Sequence, residues 1–189
     1  MRRSVNSAAG ALMVLFACAG AAQTAKLKEH PRTVTEILDK SVSNFEHEFV
    51  PAAEAMPEDK YGFAPTNGEF KGVRTFGDQI KHVAAVNYEL GAALLEEKPP
   101  AEVNDEAGPA SVTRKADVLK YLKDSFAYVH KAIATINDKN VAGTVKSPWG
   151  EGSVSRLGLA TMVTSHGFDH YGQMVEYLRM NGIVPPASR

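Results

Sequence analysis

The chain of 189 residues contains four stretches in which apolar side chains recur every three or four positions. This spacing is typical of amphipathic α-helices, which must bury the apolar stripe because a single helix of this length is only marginally stable in water. The stretches extend over about 33–55, 75–95, 112–136 and 154–180, with no convincing strand pattern and no internal repeat. The sequence therefore predicts an all-α fold, namely a four-helix bundle.

Residues that favour helix ends support these boundaries. Thr33 or Thr35 can cap the first stretch, and Thr75 with Asp78 three residues later resembles a capping box with a weaker aspartate partner. Gly182 follows the fourth stretch, where glycine commonly ends a helix in the left-handed conformation. The sequence thus predicts where the first two helices begin and where the last one ends.

The first 21 residues have the layout of a secretory signal peptide. The segment opens with two arginines, residues 8–20 are small and apolar, and small residues that a signal peptidase recognises close it. The apolar run is too short for a comfortable membrane span. We therefore expect an exported protein, periplasmic or extracellular, with residues 1–21 as signal peptide and residues 30–189 as its folded domain, without a membrane span. A lipid anchor at Cys18 is the alternative.

Composition narrows the chemistry that is open to the folded domain. The chain has 21 basic and 22 acidic residues, whereas a nucleic-acid-binding protein normally shows a basic excess. Cys18 is the one cysteine and lies in the predicted signal peptide, so the mature protein would have no disulfide and no thiolate ligand. A bound metal must then use imidazole, carboxylate or carbonyl ligands. We expect an unknown small-molecule substrate rather than nucleic acid as partner, and a homodimer is a possible assembly.

Two of the six histidines lie on one face of the fourth stretch. His166 and His170 are four residues apart, so their imidazoles lie one helical turn from each other and can converge on one ion. Their helical phase matches the apolar stripe that extends from Met162 to Leu178. Burying imidazoles there is costly unless their nitrogens are satisfied, which a divalent metal achieves. His82, near the core side of the second stretch, is the best third ligand; the alternative is a structural histidine that bonds a backbone carbonyl.

The remaining histidines carry less chemical information. His47 lies in a charged patch and is expected to face solvent, His130 is expected to be at most partly buried, and His30 is near the presumed mature terminus. Gly167 stands where a zinc protease of the HExxH type needs its glutamate base. That protease mechanism is therefore unsupported.

Two long loops, 57–72 and 137–152, contain aromatic residues that have two possible roles. Tyr61 and Phe63 in the first loop and Trp149 in the second can wall a pocket near the metal. They can equally anchor the loops on the bundle by packing, and packing is the role we expect.

Several segments of the chain together carry a family pattern. They are residues 53–61 (AEAMPEDKY), Phe63, Pro65 with Thr66, residues 75–82 (TFGDQIKH), residues 166–170 (HGFDH), Gly172 with Gln173, and residues 177–186 (YLRMNGIVPP). With these segments the chain, over roughly residues 33–186, resembles the DinB-like (DNA-damage-inducible) four-helix-bundle proteins. The resemblance implies a three-histidine site for a divalent metal, often nickel or zinc, formed by His82, His166 and His170.

The resemblance also implies two classes of function. Characterised relatives include thiol-dependent S-transferases and isomerases, so one implied function is a metal-dependent hydrolase or transferase in which the metal lowers the pKa of a water or a thiol. The other is a bundle that binds metal without turnover, for structure, sensing, sequestration or a stress response. Export counts against small cytoplasmic thiols as cosubstrates, because such thiols are not kept reduced outside the cytoplasm.

Overall fold

The computed structural model of the protein describes residues 32–189. The predicted signal peptide of residues 1–21, Cys18 and His30 lie outside these residues, so export and lipid anchoring stay predictions. Within residues 32–189, no helix combines the length and the apolar character needed to cross a bilayer.

The described part of the chain contains four long α-helices, as predicted. They are α1 (Val34–Ala55), α2 (Phe76–Leu95), α3 (Lys115–Ile133) and α4 (Arg156–Met180). α2 packs against α3 and α4, and α1 packs against the same two helices. Because α1 and α2 are not neighbours, they occupy diagonal corners, and α2 and α4 share one side of the bundle.

The predicted caps of the first two helices are confirmed. Thr33 and Glu36 form a full capping box, since the Thr33 hydroxyl accepts the Glu36 N–H and the Glu36 carboxylate accepts the Thr33 N–H at 2.8 Å. At α2 the Thr75 hydroxyl accepts the Asp78 N–H, but the Asp78 carboxylate accepts the Thr75 hydroxyl at 2.7 Å instead of the backbone N–H. The shorter aspartate side chain thus forms only half of the box, as its weaker propensity predicts.

The third helix is shorter than the predicted 112–136. After Ile133, the Thr135 hydroxyl donates to the Ala132 carbonyl at 2.7 Å, and the Asn140 amide donates to the Thr135 carbonyl at 2.9 Å. Polar side chains that bond nearby backbone groups in this way compete with helix continuation.

A small β-hairpin precedes α4, and the absence of strands expected from the sequence is therefore wrong. β1 (Thr144–Lys146) pairs antiparallel with β2 (Ser153–Ser155), with Val145 opposite Val154. Three residues per strand are too few for an alternating pattern to stand out against a loop rich in glycine and proline. The fold remains all-α in its core, because the hairpin lies outside the four-helix bundle.

Aromatic rings fill the interior of the bundle. The ring centroid of Phe45 is 5.1 Å from that of Phe49 and 5.5 Å from that of Phe126, and all three side chains are fully buried. Each such ring contributes roughly 1.5–3 kcal/mol through burial. This cluster joins α1 and α3 and extends to α4, where the Phe168 ring lies 5.1 Å from that of Phe45.

The loop between α1 and α2 is held by packing, as expected. The Tyr61 hydroxyl donates to the Ala53 carbonyl at 2.7 Å, and its ring packs against Phe76 with centroids 5.6 Å apart. Phe63 packs edge-on against Tyr177, also at 5.6 Å. Both aromatic residues therefore anchor the loop to the ends of the helices.

Candidate metal centre

Three histidines from two neighbouring helices converge inside the bundle. His82 lies on α2, whereas His166 and His170 lie on α4. The Nε2 atom of His166 is 3.0 Å from Nε2 of His82 and 3.1 Å from Nε2 of His170. His82 and His170 are 4% and 7% exposed, and His166 is half-buried. The structure thus brings together the three side chains that the sequence analysis selected, in a group that could hold a metal ion.

The apolar stripe of α4 directs its two histidines inward, with one departure from the prediction. Val163 and Leu178 are buried, but Met162 is 36% exposed. Met162 precedes the half-buried His166 by four residues, so both lie on the same edge of the stripe. This edge faces outward and leaves His166 the most accessible of the three rings.

A backbone carbonyl orients His82. Its Nδ1 atom is 2.9 Å from the carbonyl oxygen of Glu106. Because a carbonyl oxygen only accepts, Nδ1 carries the proton and Nε2 presents its lone pair to the other histidines. The two alternatives for His82 are therefore compatible. Its Nδ1 atom bonds a backbone carbonyl, while its Nε2 atom is free to bind a metal.

The segment that presents this carbonyl has an unusual backbone. Asn104, Asp105 and Glu106 have φ angles of 47°, 50° and 65°, so three consecutive non-glycine residues are left-handed. This conformation costs about 1–2 kcal/mol for each L-residue. The N–H of Gly108, itself at φ 71°, donates to the Val103 carbonyl at 2.8 Å and closes the turn. A strained turn is therefore held directly against His82.

A chain of side-chain amides orients His170. Its Nδ1 atom donates to Oε1 of Gln79 at 2.5 Å, the Gln79 amide donates to Oε1 of Gln173 at 2.8 Å, and the Gln173 amide donates to the Asp169 carboxylate at 3.3 Å. A carboxylate only accepts, so Asp169 defines the direction of every bond in the chain. The Nε2 atom of His170 is consequently also an unprotonated acceptor.

The protonation pattern of the cluster fits a cation. The Nε2 lone pairs of His82 and His170 both face Nε2 of His166. A proton on that atom would satisfy only one of them, whereas one divalent ion satisfies all three nitrogens. Zinc binds imidazole nitrogen at about 2.0–2.1 Å, which places neighbouring ligand atoms roughly 3 Å apart. The donor set therefore fits a divalent metal.

Burial lowers the pKa of all three imidazoles. It lowers the pKa of His166 to about 4 and that of His170 to about 3, and repulsion from the neighbouring histidines adds to both shifts. The pKa of His82 is lowered for the same primary reason, with a smaller contribution from the positive charge of Arg74. The rings are therefore neutral at pH 7, which is the form that binds a metal.

Gly167, between the two clustered histidines of α4, permits the close approach of α1. A Cβ atom at this position would lie 2.1 Å from a ring carbon of Phe45. No side chain fits there without displacing a fully buried ring. The helix geometry thus supplies a physical reason why the glutamate base of an HExxH protease is absent.

The other described histidines lie apart from the cluster. His47 is exposed, as predicted. His130 is half-buried, with Nδ1 2.5 Å from the Asp39 carboxylate and Nε2 3.2 Å from the Glu46 carboxylate. Burial lowers the pKa of His130, but the hydrogen bonds and negative charges of these two carboxylates outweigh burial and raise it. The two carboxylates thus favour the protonated form of His130, which links α3 to α1.

The residues that orient the clustered histidines were not predicted from the sequence. Gln79 is 2% exposed and precedes His82 by three residues, and Gln173 follows His170 by three residues. A glutamine on the same helical face as a buried histidine was a readable signal. Glu106 had no such signal, because it contributes its backbone carbonyl from a polar loop.

These features define a helical-bundle protein with a candidate tri-histidine metal centre on two adjacent helices. The family model of the DinB superfamily matches residues 43–174, a range that includes all three histidines. The chain therefore belongs to the DinB superfamily, and the resemblance seen in the sequence is confirmed. No curated protein matches the chain.

Solved structures support the fold over most of the chain. A DinB-like protein from Bacillus cereus has 14% identity and a TM-score of 0.66, covering 82% of this chain and 96% of its own. A conserved protein from Enterococcus faecalis has 17% identity and a TM-score of 0.62, covering 79% and 97%. A DinB-like protein from Bacillus subtilis has 15% identity and a TM-score of 0.56, covering 76% and 92%. At these identities the likeness concerns the fold alone.

Proposed function

We propose that this protein binds one divalent metal ion through Nε2 of His82, His166 and His170, and that the metal centre is catalytic. The convergence of three Nε2 atoms, with neighbouring distances of 3.0 and 3.1 Å, is the observation that carries this proposal. Zinc and nickel are the proposed metals, because both suit imidazole ligands.

The number of ligands supports catalysis over a purely structural role. Within residues 32–189, the cluster consists of three histidines, without a fourth histidine, cysteine or carboxylate donor. Catalytic zinc sites typically have three protein ligands and an open position, whereas structural sites have four. Such a metal supplies a Lewis acid that polarises a substrate group or lowers the pKa of a water. We therefore propose hydrolysis or group transfer on a small-molecule substrate.

The chain's own residues would hold the ligands in the required state. The Glu106 carbonyl and the Gln79 amide oxygen fix the protonated Nδ1 atoms of His82 and His170. Outer-shell partners of this kind fix the tautomer and the ring orientation of a ligating histidine. The site is thus arranged to bind a metal without reorganising its side chains.

Elemental analysis of protein expressed without added metal tests the binding proposal. We expect about one divalent metal per chain in the wild type and loss of this metal in His82→Ala. His47→Ala, the same substitution at an exposed histidine, is the matched control and should retain the metal. A metal-free wild type, or equal metal content in the two variants, would contradict the proposal, provided that circular dichroism confirms the helical fold of His82→Ala.

Cobalt substitution tests whether the centre has an open position. We expect the visible spectrum of the cobalt protein to change when a small anion such as azide is added, because an open site exchanges its external ligand. A spectrum that is insensitive to azide would exclude the catalytic proposal. It would instead indicate the non-catalytic role in structure, sensing or sequestration.

We also propose that the protein is exported and acts outside the cytoplasm. The positive start and the short apolar run within residues 1–21 support this proposal. The mass of the protein purified for metal analysis reports whether this segment is removed. A full-length mass in the native host would count against export through signal cleavage.

A further inference from the structure

A cleft of about 560 Å³ lies beside the C-terminal half of α2. Its walls come from α2, from the loop after that helix and from the turn between β1 and β2. The apolar part of the lining consists of Ala92, Ala93, Pro99, Val103 and Pro148. None of the three clustered histidines lines it, so the cleft is distinct from the candidate metal centre.

Glu89 contributes a half-buried carboxylate to this cleft. Its Oε2 atom accepts the indole N–H of Trp149 at 2.9 Å. Burial raises the pKa of Glu89, and the negative charges of Glu106 and Asp105 raise it further. Among residues 32–189, no lysine, arginine or histidine forms an ion pair with it. The carboxylate thus lies in a negative environment without a compensating cation.

The other carboxylates of the lining already have partners. Glu96 pairs with Arg156 at 2.5 Å. Glu97 accepts the Tyr128 hydroxyl at 2.8 Å and lies 3.6 Å from the Lys131 ammonium. Lys146 also lines the cleft. Within residues 32–189, however, its ammonium group has no carboxylate within 4.0 Å, so it forms no ion pair with Glu89.

Hydrogen bonds of the Ser147 side chain fix the turn between β1 and β2 that carries Trp149. The Ser147 hydroxyl accepts the Trp149 N–H at 3.2 Å and donates to the Trp149 carbonyl at 3.0 Å. Trp149 is 39% exposed, so part of its ring remains accessible while its N–H is bound to Glu89. The indole ring is therefore adjacent to the Glu89 carboxylate and reports on its surroundings, although the ring itself does not line the cleft. The same hydrogen bond holds the loop of Trp149 against α2, in keeping with the anchoring role expected from the sequence.

We propose that this cleft binds a small organic cation, an ammonium or guanidinium group on an apolar stem, with Glu89 as its counter-ion. A half-buried carboxylate among other negative charges is stabilised by a cationic partner, and the ammonium or guanidinium group supplies one. The alanine and proline side chains contact the stem, and Glu89, positioned by the Trp149 indole N–H, pairs with the cation. The proposal rests on residues outside the metal centre.

Tryptophan fluorescence can report ligand binding to the cleft, because Trp149 is the one tryptophan of the chain. We titrate the purified full-length protein with 2-phenylethylamine, and in parallel with 2-phenylethanol, which has a similar stem without the charge. We expect a saturable change in tryptophan fluorescence with the amine and about tenfold weaker binding of the alcohol, since the charged hydrogen bond is lost. Equal affinities, or no saturable change with the amine, would overturn the proposal.

Two variants test whether the bound amine pairs with Glu89. Glu89→Gln keeps an acceptor for the Trp149 N–H and should weaken amine binding about tenfold while leaving alcohol binding unchanged. Glu176→Gln, at an exposed carboxylate of α4, is the control and should bind the amine like the wild type. Wild-type affinity in Glu89→Gln would overturn the proposal. If that variant fails to fold, the amine–alcohol comparison on the wild type still decides.

Removing the metal distinguishes the proposal of a cation-binding cleft from the proposal of a catalytic metal centre. We expect the same amine affinity before and after the protein is treated with a chelator, because Glu89 lies two helical turns from His82 along α2. Loss of amine binding after chelation would assign the amine to the metal centre and overturn the separate cleft. A protein that never contained metal would refute the metal proposal and leave the cleft proposal intact.

Discussion

The three-histidine cluster and His130 place the same side chain in opposite electrostatic surroundings. In the cluster, buried imidazoles face one another, and burial together with their mutual repulsion lowers the pKa of His166 and His170 to about 4 and 3. His130, only 26% exposed on its side chain, lies between the carboxylates of Asp39 and Glu46, which raise its pKa. One site therefore favours neutral nitrogen donors and the other favours a cation.

The comparison shows that the groups in contact with a histidine, and not its burial alone, determine its pKa and therefore the form in which it is present. Both sites are withdrawn from solvent, so burial alone would lower the pKa at each. Two carboxylates that accept hydrogen bonds reverse this effect at His130. In the cluster the Glu106 carboxylate lies 3.9 Å from Nδ1 of His82, but burial outweighs its charge and the pKa stays lowered. The cluster is consequently suited to a metal, and His130 to an ion pair between helices.

The largest expected effect concerns the acid stability of the metal-free protein. The unfolded chain protonates His166 near pH 6.5, but the folded chain resists protonation to about pH 4. The unfolded state then binds more protons, so stability falls as the pH falls through this window, by about 2 kcal/mol for His166 between pH 7 and pH 5. In His166→Gln we expect this loss to be smaller by about 2 kcal/mol.

Denaturant unfolding in the presence of a chelator measures this effect at the two pH values. His47→Gln is the control, because His47 is exposed and its replacement should leave the acid loss unchanged. If metal-free His166→Gln lost as much stability as the wild type, the cluster would not be the neutral, buried group described above.

A smaller effect is expected when the support of one ligand is removed. In Gln79→Leu, Nδ1 of His170 loses its acceptor, so the tautomer and orientation of the ring are no longer fixed. We expect the affinity for zinc to fall roughly tenfold or more, as is usual for outer-shell partners. Competition with a chromophoric chelator measures this change.

Gln173→Leu provides a graded comparison for that experiment. Gln173 contacts Gln79 and not a histidine, so its replacement should lower the zinc affinity less than Gln79→Leu does. Wild-type affinity in Gln79→Leu would show that the amide chain has no part in metal binding.

The smallest expected effect is at His130 and has the opposite sign with pH. Because its folded pKa is raised, its stabilising charge is fully present below the unfolded pKa of ~6.5 and is lost as the pH rises through the folded value. We expect His130→Gln to cost about 1 kcal/mol at pH 5.5 and to approach the wild type at high pH. Urea unfolding across this range measures it, and zinc affinity should be unchanged. A cost independent of pH would indicate lost packing instead of a lost ion pair.

Most of the fold was predictable because its determinants are local. Capping side chains and apolar periodicity act within a few residues, and Thr33 and Thr75 begin their helices as predicted. The hairpin of β1 and β2 was missed because each strand has only three residues, too few for an alternating pattern to be recognised. The end of α3 was misplaced because Thr135 and Asn140 bond the backbone in a way that periodicity does not report.

The sequence alone placed His166 and His170 on one inward face of α4, because residues four positions apart lie on the same side of any α-helix. It also indicated His82 as their partner through its phase on α2. Only the packing of α2 against α4 brought Nε2 of His82 to 3.0 Å from Nε2 of His166. Tertiary structure likewise placed the Glu106 carbonyl on His82 and two carboxylates on His130, since these contacts join residues 24 to 91 positions apart. Such distances depend on how helices and loops pack, and local sequence does not encode them.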